Sequence, residues 1–375
     1  MTTALPPAQL FWLLLLLYLA GFMLLYGTVR DAGRSARRRA LRRRIDALGA
    51  PAAEADDAAI EALRDAMSDA RLALRQPPRQ RGAQVPWFLF LGDAAANLPG
   101  LLAAAHAERL APSGSEKALG EPYWRWWLTS SMAAIELHPT AVSESALAAP
   151  HMRGLWLQAL LALAERRERL PLHGLVVCIA ASELLHTDTQ TIKPLADRMR
   201  RLLDEAGDTL RLQLPVYLVV TGLEQLAGYA ALRGALPPEV LAQAIGHRLA
   251  EPPHGSNDTA AARLDALFEP MAQQLHALRM ALLREQPSAS GRLAIHEFIE
   301  AMRALQPALR QVADVLFESH GRGSRGPRWR GLYFTAAASN AAGGAFTADL
   351  FGRFLPADQP LVRPGRPPNA SAPTP

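Results

Sequence analysis

The sequence predicts an α/β protein with a mostly parallel β-sheet, flanking helices and an added helical region, preceded by one transmembrane helix. Three observations support this fold class. Short runs of Val, Leu and Ile alternate with helical stretches, which is typical of a parallel sheet covered on both faces. About ninety residues in the second half carry helical stripes of apolar side chains. Residues 10–29 contain no charged side chain, and half of the 375 residues are hydrophobic, which excludes wholesale disorder.

Residues 10–29, LFWLLLLLYLAGFMLLYGTV, are predicted to form the transmembrane helix after a short tail over residues 1–9. A helix of this length spans roughly 30 Å, the thickness of the bilayer's hydrocarbon core. A cleaved signal peptide is the alternative, but MTTALPPAQ lacks the basic residues that such a peptide carries at its start. Arginines follow directly, at positions 30, 34, 37, 38, 39, 42, 43 and 44. Since basic residues beside a membrane helix stay in the cytoplasm, we expect a single pass with the N-terminus outside and the body inside.

The arginine block dominates the charge of the chain. Residues 30–44 carry a net charge of +7, the whole chain carries +5, and residues 1–29 carry none, so the rest carries −2. A spread-out basic face for nucleic acid is therefore not expected. The arginines are expected to contact anionic lipid, and nucleic-acid binding by this short block is the alternative. The single cysteine, Cys178, allows neither an internal disulfide nor a cysteine-based zinc site.

The body is predicted to begin after a juxtamembrane region over residues 30–84, which contains an amphipathic helix (57–75) and a linker (76–84). The core over residues 85–235 should alternate strands and helices. Its predicted strands cover 85–91, 132–137, 174–181 and 214–221, and its predicted helices cover 98–110, 152–169 and 192–205. A helical region (236–328) follows. A last strand (331–335) should lie within a segment (329–362) that returns to the sheet, before a Pro-rich tail (363–375) expected to be disordered.

Several segments, in this order, resemble one family: PWFLFLGDAAANLPGLL (86–102), WWLTSSMAAIEL (126–137), RERLPLHGLVVCIAASELL (167–185), LPVYLVVTGLEQLAGY (214–229), RGLYFTAAA (330–338) and LFGRFLPADQPLVRP (350–364). They are similar to the N-terminal cytoplasmic part of the IcmF/TssM proteins, which are inner-membrane core components of bacterial type VI secretion systems. The resemblance implies a P-loop GTPase-like core in a bacterial inner-membrane protein, with membrane-core and baseplate subunits as partners, and the arginine block places the N-terminus in the periplasm. One membrane helix stands where the family usually has two, and the chain ends just after LVRP. We therefore expect a stand-alone paralogue of the cytoplasmic module or a truncated one.

The loop after the first predicted strand departs from a working P-loop. Such a loop offers backbone N–H groups, a lysine and a hydroxyl to phosphate and Mg²⁺. Gly92 keeps the first glycine, but Asn97, Leu98 and Pro99 stand at the positions of the second glycine, the lysine and the hydroxyl. Asp93 adds a negative charge. These changes predict that the loop does not bind phosphate.

The other two nucleotide motifs implied by the resemblance are also degenerate. Glu136 keeps a carboxylate at the metal-linked position, either as a surviving Mg²⁺ ligand or as a solvent-facing strand end, but Pro139 replaces the switch glycine. The base-reading loop keeps Thr221 and Gly222, with Glu224 as either a base acceptor or a surface acid. The sequence therefore predicts a pseudo-GTPase without catalytic residues, cofactor or metal site.

The function expected from these features is a non-enzymatic, membrane-anchored scaffold. Candidate partner contacts are residues 258–318 and the aromatic residues Tyr123, Trp124, Trp126 and Trp127, which could equally pack onto the sheet. The alternatives are a weakly active NTPase, and a decoy that competes with a full-length family member. A homo-oligomer of this chain is a further alternative.

Overall fold

The computed structural model describes residues 7–47, 54–75, 85–110, 122–143, 150–167, 170–186, 189–249, 258–318, 327–337 and 344–364. The predicted linker over 76–84, most of the predicted tail over 363–375 and most of the N-terminal tail over 1–9 lie outside these residues. The described residues form an α/β structure around an eight-stranded sheet, which confirms the predicted fold class at this level.

The helices are α1 (Pro7–Ala47), α2 (Glu54–Arg75), α3 (Leu98–Ala104), α4 (Pro150–Arg166), α5 (Ala181–His186), α6 (Thr189–Leu210), α7 (Tyr229–Ala235), α8 (Pro238–Ala242), α9 (Ala260–Glu285), α10 (Ala289–Ala304) and α11 (Gln306–Phe317). The strands are β1 (Trp87–Leu91), β2 (Glu108–Arg109), β3 (Trp124–Leu128), β4 (Ala133–Leu137), β5 (Gly174–Ala180), β6 (Leu212–Gln213), β7 (Pro215–Thr221), β8 (Ile245–Arg248), β9 (Arg328–Phe334) and β10 (Arg363–Pro364). A π-helical turn covers Leu350–Phe354, and β10 pairs with β6 apart from the main sheet.

The main sheet has the strand order β2-β3-β4-β1-β5-β7-β9-β8. Its five central strands, from β4 to β9, are mutually parallel. Strands β2, β3 and β8 complete the two edges in antiparallel pairs. Every residue of β1, β5 and β7 is buried, as expected for parallel strands with helices on both faces.

Different helices pack on the two faces of the sheet. Alternate residues of each strand point to opposite faces. Leu89 and Val177 join the larger core with α2, α4, α6 and the helices α9–α11. Phe88 and Val176 join a smaller core with α3 and the segment over 350–355. In that segment the ring of Phe351 stacks on Phe90 with centroids 5.7 Å apart.

Several predicted boundaries were wrong. The helix predicted over 98–110 ends at Ala104, because His106 has a φ of 55° and β2 follows. Strand β3 was not predicted, and β8 lies inside the region predicted to be helical. Strand β8 is an edge strand without the continuous apolar run that identifies a central strand, and Arg125 interrupts the apolar run of β3.

Helix α1 continues without a break from the apolar segment through the arginine block into the body. At its C-terminal end Leu41 is buried in the larger core, Arg42 pairs with Glu165 of α4 at 2.8 Å, and Arg44 donates to the hydroxyl of Thr209 on α6 at 3.0 Å. The large apolar side chains from Phe11 to Leu25 are exposed. No helix within the described residues has both the length and the apolar character needed to cross a membrane, so the predicted span over 10–29 is not confirmed.

Candidate functional site

The three degenerate loops follow β1, β4 and β7, and therefore lie at the carboxyl edge of the parallel strands. Strand β1 is followed by α3 on the smaller-core face, whereas β4 is followed by α4 on the larger-core face. Such a reversal of connections beside one strand marks the crevice in which open α/β sheets bind ligands. The predicted site residues are thus at the ligand-binding edge of the fold.

Two side chains of the loop between β1 and α3 accept hydrogen bonds from nearby backbone N–H groups. Asp93 Oδ1 accepts a hydrogen bond from the N–H of Ala96 at 3.1 Å. Asn97 adopts a left-handed conformation with φ 45°, caps α3, and accepts from the N–H of Gly100 through Oδ1 at 3.2 Å. Two N–H groups near the start of α3 are thereby engaged by side chains of the loop itself, where a phosphate would compete for them.

The remaining loop residues also oppose anion binding. The side chain of Leu98 is 1% exposed and belongs to the smaller core, so it is directed away from any ligand. Gly92 approaches Cys178 so closely that a Cβ at this position would lie 3.2 Å from the Cys178 carbonyl oxygen. Pro99 lies in the first turn of α3 and has no N–H to offer.

A pair of carboxyl groups stands at this edge of the sheet. Glu183 lies in the first turn of α5, and one of its carboxyl oxygens is buried without a hydrogen-bond partner within the described residues. Burial, followed by the neighbouring Asp93 carboxyl group, raises the pKa of Glu183 to about 8, while the charge of Arg198 acts in the opposite direction. Arg198 itself donates to the carbonyl oxygen of Val142 at 2.8 Å. The raised pKa favours the neutral form of Glu183 beside Asp93.

Glu136 is a buried structural carboxylate. Its side chain is 1% exposed, so the expectation of a solvent-facing strand end was wrong. Its two oxygens accept from Arg125 Nη1 at 3.1 Å and from Trp127 Nε1 at 2.7 Å, both on the antiparallel neighbour β3. The carboxylate therefore links β3 to β4. Pro139 begins a 3-10 turn capped by His138, which accepts from the N–H of Thr140.

The base-reading loop is tied to the loop after β9. Thr221 is buried at the end of β7, and Gly222 precedes a 3-10 turn over Leu223–Gln225. Glu224 is half-buried and accepts from the N–H of Ala337 through Oε2 at 2.8 Å, so it is not the freely exposed surface acid that one alternative expected. Its carboxylate is engaged by the backbone at the position from which a base would be read.

The predicted aromatic contact residues belong to the core. Tyr123, Trp124, Trp126 and Trp127 are all buried. The indole N–H of Trp124 donates to the carbonyl oxygen of Leu63 on α2, and the ring of Trp126 meets that of Trp87 edge to face at 5.0 Å. These side chains hold α2 and β3 on the sheet, so they form no exposed docking surface.

Sequence reasoning missed several residues that shape this edge. The role of Arg125 depends on β3, and the pattern WRWWL would have revealed it had the segment been assigned as a strand. Glu183 and Arg198 come together only through the sheet order, for which the sequence gives no local signal. Among the described residues, no group of three or more His, Cys, Asp or Glu side chains could hold a metal ion.

Comparison with known proteins identifies the family. The family model of the IcmF-related N-terminal domain matches residues 151–343, just over half of the sequence. The chain belongs to the IcmF-related family. This IcmF-related chain is also similar to the type VI secretion system component TssM1 of Pseudomonas aeruginosa, with 24% identity over 217 residues. The match covers 58% of the chain but 20% of that relative, so the chain spans about a fifth of its length. No solved structure matches the chain.

Proposed function

We propose that this IcmF-related chain is a non-enzymatic scaffold of a bacterial type VI secretion system, attached to the inner membrane. Family membership and the similarity to TssM1 support a role in type VI secretion. The other subunits of that system are the expected partners.

One observation supports the non-enzymatic part of this proposal: polar side chains at the carboxyl edge of the sheet are already hydrogen-bonded within the protein. Asp93 and Asn97 engage loop amides, and Glu224 engages the N–H of Ala337. Glu136 is held by two donors from β3. Since a nucleotide would have to break several of these bonds and supply its own charge compensation, the fold serves better as a stable docking body than as an NTPase.

The order of the central strands supports a degenerate P-loop GTPase-like core. The loop after β1 occupies the phosphate-binding position of an open α/β sheet, between the neighbouring strands β4 and β5. The same loop lacks the lysine and hydroxyl, with Leu98 and Pro99 in their places. A core of this kind needs no bound ligand to complete its folding.

The N-terminal helix is the proposed membrane attachment. The exposed apolar side chains over 11–25 lack a cover within the described residues, and the arginine block continues the same helix. Hydrocarbon would cover these side chains, while the arginines would remain on the cytoplasmic side beside anionic head groups. The body would then lie in the cytoplasm.

Co-purification tests this function. The full chain, tagged at its C-terminus and extracted in mild detergent, should retain membrane-core or baseplate subunits of the type VI system. An unrelated single-pass membrane protein with the same tag is the control. Intact, folded protein that retains none of these subunits above the control would refute the scaffold function.

A further inference from the structure

A groove lies between α2 and α4, outside the carboxyl edge described above. It encloses about 270 Å³. Its lining includes the apolar side chains Met67, Leu161 and Ala162 and the charged side chains Arg64, Glu165 and Arg166. Both arginines are exposed, whereas Met67 is buried. The groove thus combines an apolar floor with a charged rim.

The charges of the rim are not balanced. Glu165 is already paired with Arg42 of α1 at 2.8 Å. Arg166 donates to the neutral hydroxyl of Ser68 at 3.3 Å, and Arg64 has no ion pair within the described residues. Two guanidinium groups therefore face the groove without a carboxylate of their own. An apolar floor with an uncompensated cationic rim is complementary to an apolar side chain flanked by anions.

We propose that the α2–α4 groove binds a short acidic segment of a partner protein, which places an apolar side chain on the floor and carboxylates on Arg64 and Arg166. Guanidinium groups can bind carboxylates through two parallel hydrogen bonds, which fixes orientation as well as affinity. The inference rests on the proposed scaffold function and names the surface and the chemistry of one docking contact.

The position of the groove along α1 favours a protein over a lipid head group. The pair between Glu165 and Arg42 fixes this position. The predicted membrane segment over 10–29 ends at Val29, 13 residues before Arg42, which corresponds to about 20 Å of helix. The head-group layer extends only about 5–8 Å beyond the hydrocarbon on each side. With the apolar segment in the bilayer, the groove would therefore lie beyond the lipid head groups.

Site-specific cross-linking tests this contact in the full chain, expressed in cells that contain the type VI system. A photoreactive phenylalanine analogue replaces Gln158, which also lines the groove, and the captured segment is identified by mass spectrometry. The variant Arg64→Glu with Arg166→Glu reverses the charge at both arginine positions of the rim. The control, Arg71→Glu with Arg201→Glu, makes the same charge change at exposed positions outside the groove. Thermal melting verifies that each variant is folded.

The expected adduct is a segment of another protein in which Asp or Glu flanks an apolar residue. The variant Arg64→Glu with Arg166→Glu should lower the yield of this adduct at least tenfold, and the control variant should change the yield less than twofold. Asp/Glu→Arg changes in the captured segment should restore its binding to the Arg64→Glu, Arg166→Glu variant. An adduct with lipid, with a second copy of this chain or with a segment lacking carboxylates would overturn the proposal. So would the absence of an adduct while type VI subunits still co-purify, which would leave the scaffold function standing. An acidic segment from a protein outside the type VI system would support the groove and refute the scaffold function.

Discussion

Replacing Glu136 by Ala tests whether this carboxylate stabilises the fold or remains available as a metal ligand. The change removes the carboxylate that pairs with the Arg125 guanidinium, whose side chain is 11% exposed, and it removes the acceptor of the Trp127 N–H. Breaking a buried ion pair by removing one partner costs about 3–5 kcal/mol. We expect a loss of this size in the free energy of unfolding.

Urea unfolding followed by tryptophan fluorescence measures this loss. The matched control is Glu165→Ala, because Glu165 is 38% exposed and its partner Arg42 is 65% exposed. Exposed pairs contribute about 0–1 kcal/mol, so the control should remain close to the unmodified protein. The double variant Arg125→Met with Glu136→Leu should recover most of the loss, since apolar side chains then replace the buried ion pair.

A loss below about 0.5 kcal/mol for Glu136→Ala would refute this reasoning, because that is the range of surface substitutions away from structural contacts. Failure of the double variant to recover stability, with the single variant strongly destabilised, would show that packing and not charge dominates at this position.

Three further predictions concern titration and backbone geometry. Burial, with the charge of Arg167, lowers the pKa of His173 from 6.5 to about 3, so stability should fall as the pH drops from about 6.5 towards 3, by at most about 1.4 kcal/mol per pH unit. His173→Gln should flatten this slope in urea titrations at several pH values. The pKa of Glu183 is raised from 4.5 to about 8, so its contribution has the opposite sign: stability should fall as the pH rises from about 4.5 to 8, and Glu183→Gln should remove that dependence. Gly228 has a φ of 80°, and a Cβ there would lie 1.8 Å from the Ala294 carbonyl oxygen, so Gly228→Ala should lower the melting temperature by several degrees. Gly234→Ala, in open space within α7, should leave it unchanged or raise it.

The central strands could be predicted from the sequence because burial on both faces requires continuous apolar runs. GLVVCIA and PVYLVVT have that composition and form β5 and β7. The edge strand β8 reads IGHR, and only its pairing with β9 makes it a strand. Strand formation at an edge depends on a partner that is distant in sequence, so local patterns predict it poorly.

The candidate site shows the same division between local and long-range information. Leu98 and Pro99, at the positions that the resemblance assigns to the P-loop lysine and hydroxyl, could be identified directly, because the motif is local. The bond between Glu224 and the N–H of Ala337 joins residues 113 positions apart, and the bonds of Glu136 require the register of β3 against β4. The sequence therefore predicts which motif positions depart from a P-loop, whereas the structure was needed to find the contacts made at this edge of the sheet.

Isothermal titration of the full chain in detergent with GTP or ATP and Mg²⁺ tests the central claim most directly. Since Asp93, Asn97 and Glu224 already engage the donors at the carboxyl edge, we predict no binding heat, which corresponds to a Kd weaker than about 1 mM, or about −4.1 kcal/mol. A nucleotide-binding P-loop protein titrated in the same detergent verifies the sensitivity of the measurement. Micromolar binding of either nucleotide to the folded chain would contradict the claim that this edge of the sheet is closed by its own side chains.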